Sequence, residues 1–483
     1  MKIMTPTVLW TVLVAVALAG LFFVFRNRVS QRWGFREAVQ NPKDWSRDSE
    51  RTRREIEKAV GESASWNNGQ VSAAASRFIF EISSSEEATV ELKVLRSLGT
   101  RVHSSVLTIL GDSSNRARLV APTGTNLLPE APFNRACDLL EEPPAAAARL
   151  ISPFLEEPSA GIRKDAALVL GKIGSKEVVP SLRRVFEDQD EYVRSYGLMG
   201  LRDALHGGRD HELGANDLFD DIAGLLLSNK NADDAADLLG LIDAERATGL
   251  FLSPKVFNAN ATFLHEVLEA LAKKKSPVPR DRLLRLIADL EAREIKYPIT
   301  YALKEALLLL GQTKNPDDRS FLEKRTYSSE TKVAEGAMAG LIASFGLEGF
   351  EERIWESEGK NGIGGLPAEQ RRYLAVLILD GQVNNGGLTQ YFFNSSGGQW
   401  REAEAGLEAM GFKERLQLLR EAIAKFGKGG PSQEREHRQE QLSKLEQGAT
   451  SAFDDLDNRY FACKEVVEVL SKRYVLKNEQ AFR

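Results

Sequence analysis

Cysteine, histidine and net charge are all scarce in this sequence of 483 residues. Its two cysteines, Cys137 and Cys463, are too few for a disulfide framework or a thiolate metal site, and they favour a reducing compartment. The net charge of -5 is too small for this length to indicate a nucleic-acid or acidic partner. With 28% charged and 42% apolar residues, the composition predicts a globular protein rather than a disordered one.

Motifs that carry catalytic chemistry are also missing. The sequence contains no phosphate-binding P-loop, no nucleophile elbow and no His-Glu-x-x-His motif. His206 and His211 have a spacing near that of metal ligands, but no cysteine or third histidine accompanies them. The sequence therefore predicts no catalytic residue, no metal ligand and no cofactor, and it favours a protein without enzymatic activity.

The N-terminus contains a long uncharged run, with 23 residues between Lys2 and Arg26. As a helix this run is about 34 Å long, enough to cross a hydrocarbon core of about 30 Å. A cleaved signal peptide is the alternative, because Ala17–Ala19 is similar to a small-residue cleavage site. The run continues beyond that site and ends at arginines, which favours an uncleaved anchor with the body in the cytoplasm. We therefore predict a single-pass membrane protein with a transmembrane helix in residues 1–26 that contacts the membrane through residues 3–25.

The middle of the chain is helical and repetitive. Within Gly161–Leu205, Ile162 and Arg163 recur as Val193 and Arg194 after 31 residues, and each pair begins an apolar helix. Alanines in the first of these helices allow a neighbouring helix to approach closely. Periods of this length are typical of stacked helix pairs, in which no unit buries its apolar face alone.

A second echo and a family resemblance support the same organisation. The segment from Ile299 recurs from Val333, a spacing of 34. With its paired alanines, Leu-Gly-x-Ile-Gly and Pro-x-Leu, the stretch Gly161–Leu205 resembles HEAT repeats of the phycobilisome-lyase-associated type. The resemblance is looser over the rest of residues 86–350. It implies an α-solenoid that is used as a protein-binding surface.

The chain after the repeats predicts a hinge and then one compact helical domain. Four glycines within seven residues, followed by Pro367, are typical of a flexible connection and a helix start. Apolar helical patterns then continue to the C-terminus, and the last long one has three aspartates in its first turn. The predicted order is a transmembrane anchor in 1–26, a charged juxtamembrane linker in 27–85, HEAT-like repeats in 86–350, a glycine-rich hinge in 351–365 and a helical domain in 366–483.

The stretch Asp380–Gly398 combines turn residues with aromatic residues. Asparagine and glycine at 384–387 tolerate positive φ and predict a helix stop. Leu388, Tyr391 and Phe392 then follow at helical spacing and predict one short helix with an apolar face. The polar side chains around them either satisfy the backbone of a tight corner or contact a ligand or partner. The candidate binding positions of this motif are Asn384, Asn385, Gly386, Gly387, Gln390, Tyr391, Phe392 and Asn394.

The same motif, with the downstream segments GLEAMGF and FDDLDNRYF, resembles the C-terminal domain of the DNA-mimic-protein family, much of which has no known function. The resemblance covers about Leu366 to Tyr474 and implies an all-helical fold. In the named member of the family it implies a carboxylate-rich surface that occupies a transcription factor in place of DNA. Residues 366–483 contain 17 lysines and arginines and 17 aspartates and glutamates. Because duplex DNA presents one charge per about 1.7 Å of its axis, this balance favours the fold over the mimicry.

These patterns predict an all-α protein that acts as a membrane-anchored adaptor or scaffold without enzymatic activity. The solenoid and the C-terminal domain are the expected protein-binding surfaces. Sequestration of a DNA-binding protein by the C-terminal domain is the alternative, and a third hypothesis is a hydrolase or lyase that uses Asn385, Gln390, Tyr391 and Asp457. Direct nucleic-acid binding is not expected, because the basic run from Lys273 has no aromatic neighbours for base stacking.

Overall fold

The computed structural model describes residues 56–81, 85–121, 131–140, 143–207, 215–445 and 452–483. Throughout these ranges the regular structure is helical and contains no β-strand. The all-α prediction is therefore confirmed. The described helices fall into two compact units, which divide after Ile173.

The structure corrects the membrane part of the predicted fold class. The predicted transmembrane segment, residues 3–25, lies outside the described residues, and none of the helices inside them is both long and apolar enough to span a membrane. A helix that crosses the hydrocarbon core needs about 20 mainly apolar residues. The longest described helix, Ala368–Phe393, has 26 residues but carries four charged side chains and a break. The transmembrane helix and the single-pass membrane localisation are therefore withdrawn.

In the first unit, short helices pack around a small apolar core. Residues 56–63 are helical, and Asn67 and Gln70 then close a capping box at the start of the next helix. Phe133 and Phe154 stack in the core with their ring centroids 3.9 Å apart. The helices of this unit are α1 (Asn68–Phe80), α2 (Ser85–Ser97), α3 (Thr100–Gly111), α4 (Arg116–Val120), α5 (Pro132–Asp138), α6 (Ala147–Ile151) and α7 (Ala160–Ile173).

The second unit begins with helices that stack in chain order. They are α8 (Val179–Glu187), α9 (Glu191–His206), α10 (Ala215–Leu227), α11 (Ala232–Ile242), α12 (Ala244–Phe251), α13 (Leu264–Lys273), α14 (Arg280–Glu291), α15 (Ile299–Gln312), α16 (Arg319–Arg325) and α17 (Thr331–Ser344). The odd-numbered helices from α9 to α17 each pack against the next odd-numbered helix. Such a stack is solenoid-like, because each helix buries against its neighbours a face that it could not bury alone.

The arginine that recurs in the predicted repeat makes the same kind of local contact in both copies. Arg163 donates from Nη1 to the carbonyl oxygens of Glu157 and Pro158 at 2.9 and 3.0 Å. Arg194 donates from Nη1 to the carbonyl oxygen of Asp188 at 2.7 Å, again six residues earlier. Both arginine side chains are buried. Each therefore ties the beginning of its helix to the loop that precedes it.

Helices α15 and α17 approach so closely that glycine is required between them. A Cβ atom on Gly311 would lie 1.9 Å from the carbonyl oxygen of Gly340. A Cβ atom on Gly336 would lie 2.4 Å from the Cα atom of Lys304. These are the two helices whose sequences echo each other after 34 residues. At this spacing Gly336 and Gly340 correspond to Ala302 and Ala306, so the shared pattern includes small residues at two positions, whereas Gly311 corresponds to Phe345.

The remaining helices enclose one apolar core in the C-terminal part of the unit. They are α18 (Phe350–Asn361), α19 (Ala368–Phe393), α20 (Trp400–Met410), α21 (Glu414–Lys425), α22 (Arg435–Leu445), α23 (Asp454–Ala462), α24 (Val467–Lys477) and α25 (Glu479–Phe482). Residues 351–365, which the sequence predicts as a hinge, contain most of α18 and a 3-10 turn, Ile363–Gly365. Phe350, Ile354 and Leu366 are buried in the same core. This segment therefore packs against the domain that follows it.

Candidate functional site

Helix α19 is broken at a pair of glycines, where the sequence predicts a helix stop. Gly386 has φ −162° and ψ 28°, and Gly387 has φ 76° and ψ −179°. A positive φ of this size is strained for a residue that carries a Cβ atom. Helical residues lie on both sides, so the chain resumes its helix directly after the glycines. We call Asn384–Leu388 the helix break.

A carboxylate from α23 holds the helix break in place. The Leu388 N–H donates to Asp457 Oδ1 at 2.8 Å, so Asp457 caps the helical segment that follows the glycines. A Cβ atom on Gly387 would lie 2.3 Å from Asp457 Oδ2, which leaves room for glycine alone. Burial raises the pKa of Asp457, and the hydrogen bond from Leu388 offsets this only in part.

Three side-chain amides connect the two sides of the helix break. Gln390 donates from Nε2 to Gln382 Oε1 at 3.0 Å, and Asn394 donates from Nδ2 to the same oxygen at 2.7 Å. Gln382 is buried and lies before the glycines, whereas its two donors lie after them. We call these three residues the amide hub. Because one buried oxygen accepts both donors, the hub fixes the angle between the two helical segments.

Tyr391 and Phe392 belong to the core rather than to the surface. Both side chains are almost fully buried. The Phe392 ring lies 4.9 Å from that of Phe426 and 5.7 Å from that of Phe453, measured between centroids. Tyr391 Oη is buried and accepts or donates no hydrogen bond among the described residues, and burial raises the pKa of this phenol. These two candidate binding residues therefore stabilise the domain and do not face a partner.

A buried arginine holds the end of α19. Arg438 on α22 is fully buried, and it donates from Nε to the carbonyl oxygen of Phe392 and from Nη2 to that of Asn394, both at 2.7 Å. Its Nη1 donates to the carbonyl oxygens of Ser432 and Gln433 at 2.7 and 3.0 Å. Helix ends leave such carbonyl groups without partners inside the helix. Arg438 thus fixes α19, directly after the amide hub, to the loop before α22.

A second polar network, centred on Asp380, holds the first residue of the helix break, Asn384. Asn384 donates from Nδ2 to Asp380 Oδ2 at 3.0 Å. Tyr460 Oη donates to Asp380 Oδ1, also at 3.0 Å, and Arg415 Nε lies 3.3 Å from the same oxygen. Burial raises the pKa of Asp380, although Arg415 opposes this shift. Asn384 is therefore exposed to solvent but is anchored to this buried network by its side-chain amide.

The candidate residues fall into three groups by exposure. Asn384, Asn385 and Gly386 are exposed, and Gln390 and Asn394 are half-buried in the amide hub. Gly387 is buried with Tyr391 and Phe392. The motif therefore combines an exposed tip, Asn384–Gly386, with buried and half-buried residues that hold the tip in place. Sequence reasoning missed the supporting side chains that come from elsewhere, which are Gln382, Arg415, Arg438 and Tyr460.

The chemistry available at this site is hydrogen bonding. In the described part of the chain, no three or more His, Cys, Asp or Glu side chains are arranged to hold a metal ion. His206 is described, whereas His211 lies outside the described residues. Both cysteines are free; burial raises the pKa of Cys463 to about 11 and that of Cys137 well above its ordinary value. Both thiols are therefore protonated at neutral pH.

The segment that contains the site is similar to one recognised protein family. Residues 364–478 match the family described as DMP19-like protein, so the segment from α19 to α24 is similar to that family. This confirms the resemblance of the C-terminal domain. No curated protein matches the chain. No family match covers the region that resembles HEAT repeats, and that assignment stays a prediction.

Gly387→Ala is expected to lower the free energy of unfolding by about 2–4 kcal/mol, because the new Cβ atom is strained and collides with Asp457. Denaturant titration of the full chain measures this loss. Gly411→Ala is the matched control, since Gly411 also has a positive φ, 83°, but no atom lies within 4 Å of its Cβ position. The control is expected to cost about 1 kcal/mol. Equal losses for the two variants would mean that Asp457 does not fix the break.

Proposed function

We propose that this chain is a non-enzymatic adaptor that binds proteins through its solenoid-like stack and its C-terminal domain. The observation that carries the proposal is that the tip of the helix break, Asn384–Gly386, is exposed. Asp457 and the amide hub fix the backbone on the buried side of this tip. A preorganised surface loses little conformational entropy when it binds. We therefore assign the tip as the recognition element of the C-terminal domain.

The neighbouring face of α23 supports this assignment. Asp454, Asn458 and Phe461 are exposed and follow at intervals of four and three residues, so they share a face of the helix. Asp457, which caps the helix break, lies on the same side. The Phe461 side chain is 55% exposed. Aromatic side chains are enriched at protein–protein interfaces, so Phe461 is a candidate contact residue.

The arrangement of the motif favours binding over the hydrolase or lyase hypothesis. That hypothesis requires Asn385, Gln390, Tyr391 and Asp457 to face one cavity. Tyr391 Oη is buried in the core, whereas Asn385 is exposed. Gln390 and Asp457 each hold the helix break through a hydrogen bond. These four side chains therefore do not face one cavity. They stabilise the helix break or lie on the surface, and this arrangement does not favour a shared catalytic role.

Sequestration of a DNA-binding protein is the second candidate, and the DMP19-like match favours it. Carboxylates of the domain form two clusters in which one arginine lies between two acidic groups, one of them exposed and the other half-buried. A basic partner would compete with the arginines for these carboxylates, as a DNA-binding surface competes for phosphates. The ion pairs are Arg420–Glu404 at 2.7 Å, Arg420–Glu408 at 3.2 Å, Arg459–Glu421 at 2.6 Å and Arg459–Asp455 at 3.5 Å.

The experiment captures partners from lysate of the cells that express this protein, with the purified full chain and with Asn385→Arg as baits. A protein retained by the wild-type chain is expected to lose at least tenfold in affinity for Asn385→Arg, because the new side chain covers the tip. Gln480→Arg is the matched control, since it also replaces an exposed side-chain amide with arginine, but in α25, outside the family match. Partners held equally by all three baits would contradict a role of the tip.

Competition with duplex DNA separates the two candidates. A partner that is a DNA-binding protein and is released by added DNA supports sequestration. A partner that stays bound in the presence of DNA, and is lost only with Asn385→Arg, supports the adaptor. Because the charge of the bait differs by the same amount in Gln480→Arg and Asn385→Arg, the comparison also removes a general effect of added positive charge.

A further inference from the structure

The last helix of the solenoid-like stack, α17, packs against α24 of the DMP19-like domain. Ala334 and Met338 on α17 form a buried apolar cluster with Val469 on α24. Each earlier odd-numbered helix from α9 onward packs against the next one in the same layer. Helix α24 therefore packs against α17, as a next repeat helix would, although it lies far along the chain.

Ionic groups from several helices converge beside this apolar cluster. On α24, Glu468 forms an ion pair with Lys472. Burial alone raises the pKa of Glu468, but Lys472, Lys304 and Lys332 together lower it below its ordinary value. Lys304 belongs to α15 and Lys332 to α17, so lysines from three helices act on one carboxylate. The C-terminal domain thus supplies a negative charge that the end of the stack stabilises.

A third contact lies at the loop after α16. Arg473 on α24 donates from Nη2 to Thr326 Oγ1 at 3.2 Å. Its guanidinium group also lies 4.4 Å from the ring centroid of Tyr327, a cation–π contact. Tyr327 is 68% exposed, so the arginine covers one side of a ring that is otherwise in solvent. Helix α24 therefore contacts α17 and the loop between α16 and α17, and its Glu468 also interacts electrostatically with Lys304 on α15.

We propose that α24 acts as the last helix of the solenoid-like stack and that the DMP19-like domain serves as the C-terminal cap of this stack. A repeat stack needs an end that covers its last apolar face, because each repeat buries that face only against a neighbour. Val469 provides this cover, and Glu468 and Arg473 add polar contacts at its edges. The α24 face is thus occupied by the chain itself and is not free to bind another protein. This inference does not depend on the proposed adaptor function.

Met338→Ala in the full chain tests the cap by hydrogen exchange. Amides in α17 and in α24 are both expected to exchange at least tenfold faster, because the substitution removes buried contact between the two helices. Met199→Ala is the matched control, since it makes the same change on α9, four helices earlier in the layer. Faster exchange in α17 without α24 would overturn the proposal. An equal rise in α24 with Met199→Ala would also overturn it.

Glu468→Gln tests the ionic part of the cap without creating a cavity. It removes the ion-pair partner of Lys472 and a negative charge that Lys304 and Lys332 also stabilise, so exchange in α24 is expected to rise several-fold. Glu479→Gln is the matched control, because Glu479 also forms an i,i+4 ion pair, with Arg483, but lies in α25. Unchanged exchange in α24 with Glu468→Gln would overturn the ionic contribution and leave the apolar contact to be judged by Met338→Ala.

Discussion

Gly311→Ala is expected to lower the free energy of unfolding by about 3–5 kcal/mol, enough to unfold a marginally stable chain. The added Cβ atom would lie 1.9 Å from the carbonyl oxygen of Gly340 and 2.4 Å from its Cα atom. These are backbone atoms, so no side-chain rotation can relieve the collision. Helices α15 and α17 would have to move apart, and the apolar contacts between them would be lost. Denaturant titration of the full chain, followed by circular dichroism at the helical band, measures the loss.

Gly224→Ala is the matched control for this prediction. Gly224 also lies inside a helix, α10, but no atom lies within 4 Å of its Cβ position. Alanine there is expected to stabilise the chain by about 0.5–1 kcal/mol, because it favours the helix and restricts the unfolded state. The two substitutions are chemically identical, so opposite signs would isolate the helix contact as the cause. A loss below about 1 kcal/mol for Gly311→Ala would mean that α15 and α17 are not in backbone contact.

Features that depend on neighbouring residues could be predicted from the sequence. The recurrence of Arg163 as Arg194 indicated repeated helices, and each arginine makes the same contact six residues back. The break at Gly386 and Gly387 was predicted because positive φ and helical periodicity are local properties of the chain. The buried faces of Tyr391 and Phe392 follow from the same periodicity. Local patterns thus located the site but not its supporting groups.

Features formed by residues far apart in the sequence could not be predicted in this way. Asp457 lies 69 residues after Leu388, and in the sequence it is one of three aspartates that favour a helix N-terminus. Arg438 lies in a polar segment where nothing distinguishes it from its charged neighbours. The contact between α17 and α24 joins two regions whose patterns suggest separate domains. Each of these contacts depends on the tertiary arrangement, which a single sequence does not encode in any local pattern.

Arg438→Met is expected to cost about 3–5 kcal/mol of the free energy of unfolding, the second large effect predicted for this chain. Methionine retains most of the apolar volume but donates no hydrogen bond. The carbonyl oxygens of Phe392 and Asn394 at the end of α19, and of Ser432 and Gln433, would all lose a donor. Several buried acceptors would then lack partners, each at a cost of about 1–3 kcal/mol when fully buried.

Lys444→Met is the matched control, because it removes the same charge from an exposed position on α22, the helix that carries Arg438. Its expected effect on the free energy of unfolding is within about 0.5 kcal/mol, as for most surface substitutions.

Hydrogen exchange adds a local measurement. Amides of Leu388–Phe393 should lose protection in Arg438→Met before amides of the first segment of α19 do, because this side chain holds only the later segment. A small loss of stability, or protection that falls equally along α19, would contradict the role of Arg438 as the group that fixes the end of the broken helix. Because Gln390 and Asn394 of the amide hub lie on or directly after that later segment, and the exposed tip directly precedes it, a confirmed local loss in Arg438→Met also predicts weaker partner capture by this variant than by Lys444→Met, even at temperatures where both remain folded.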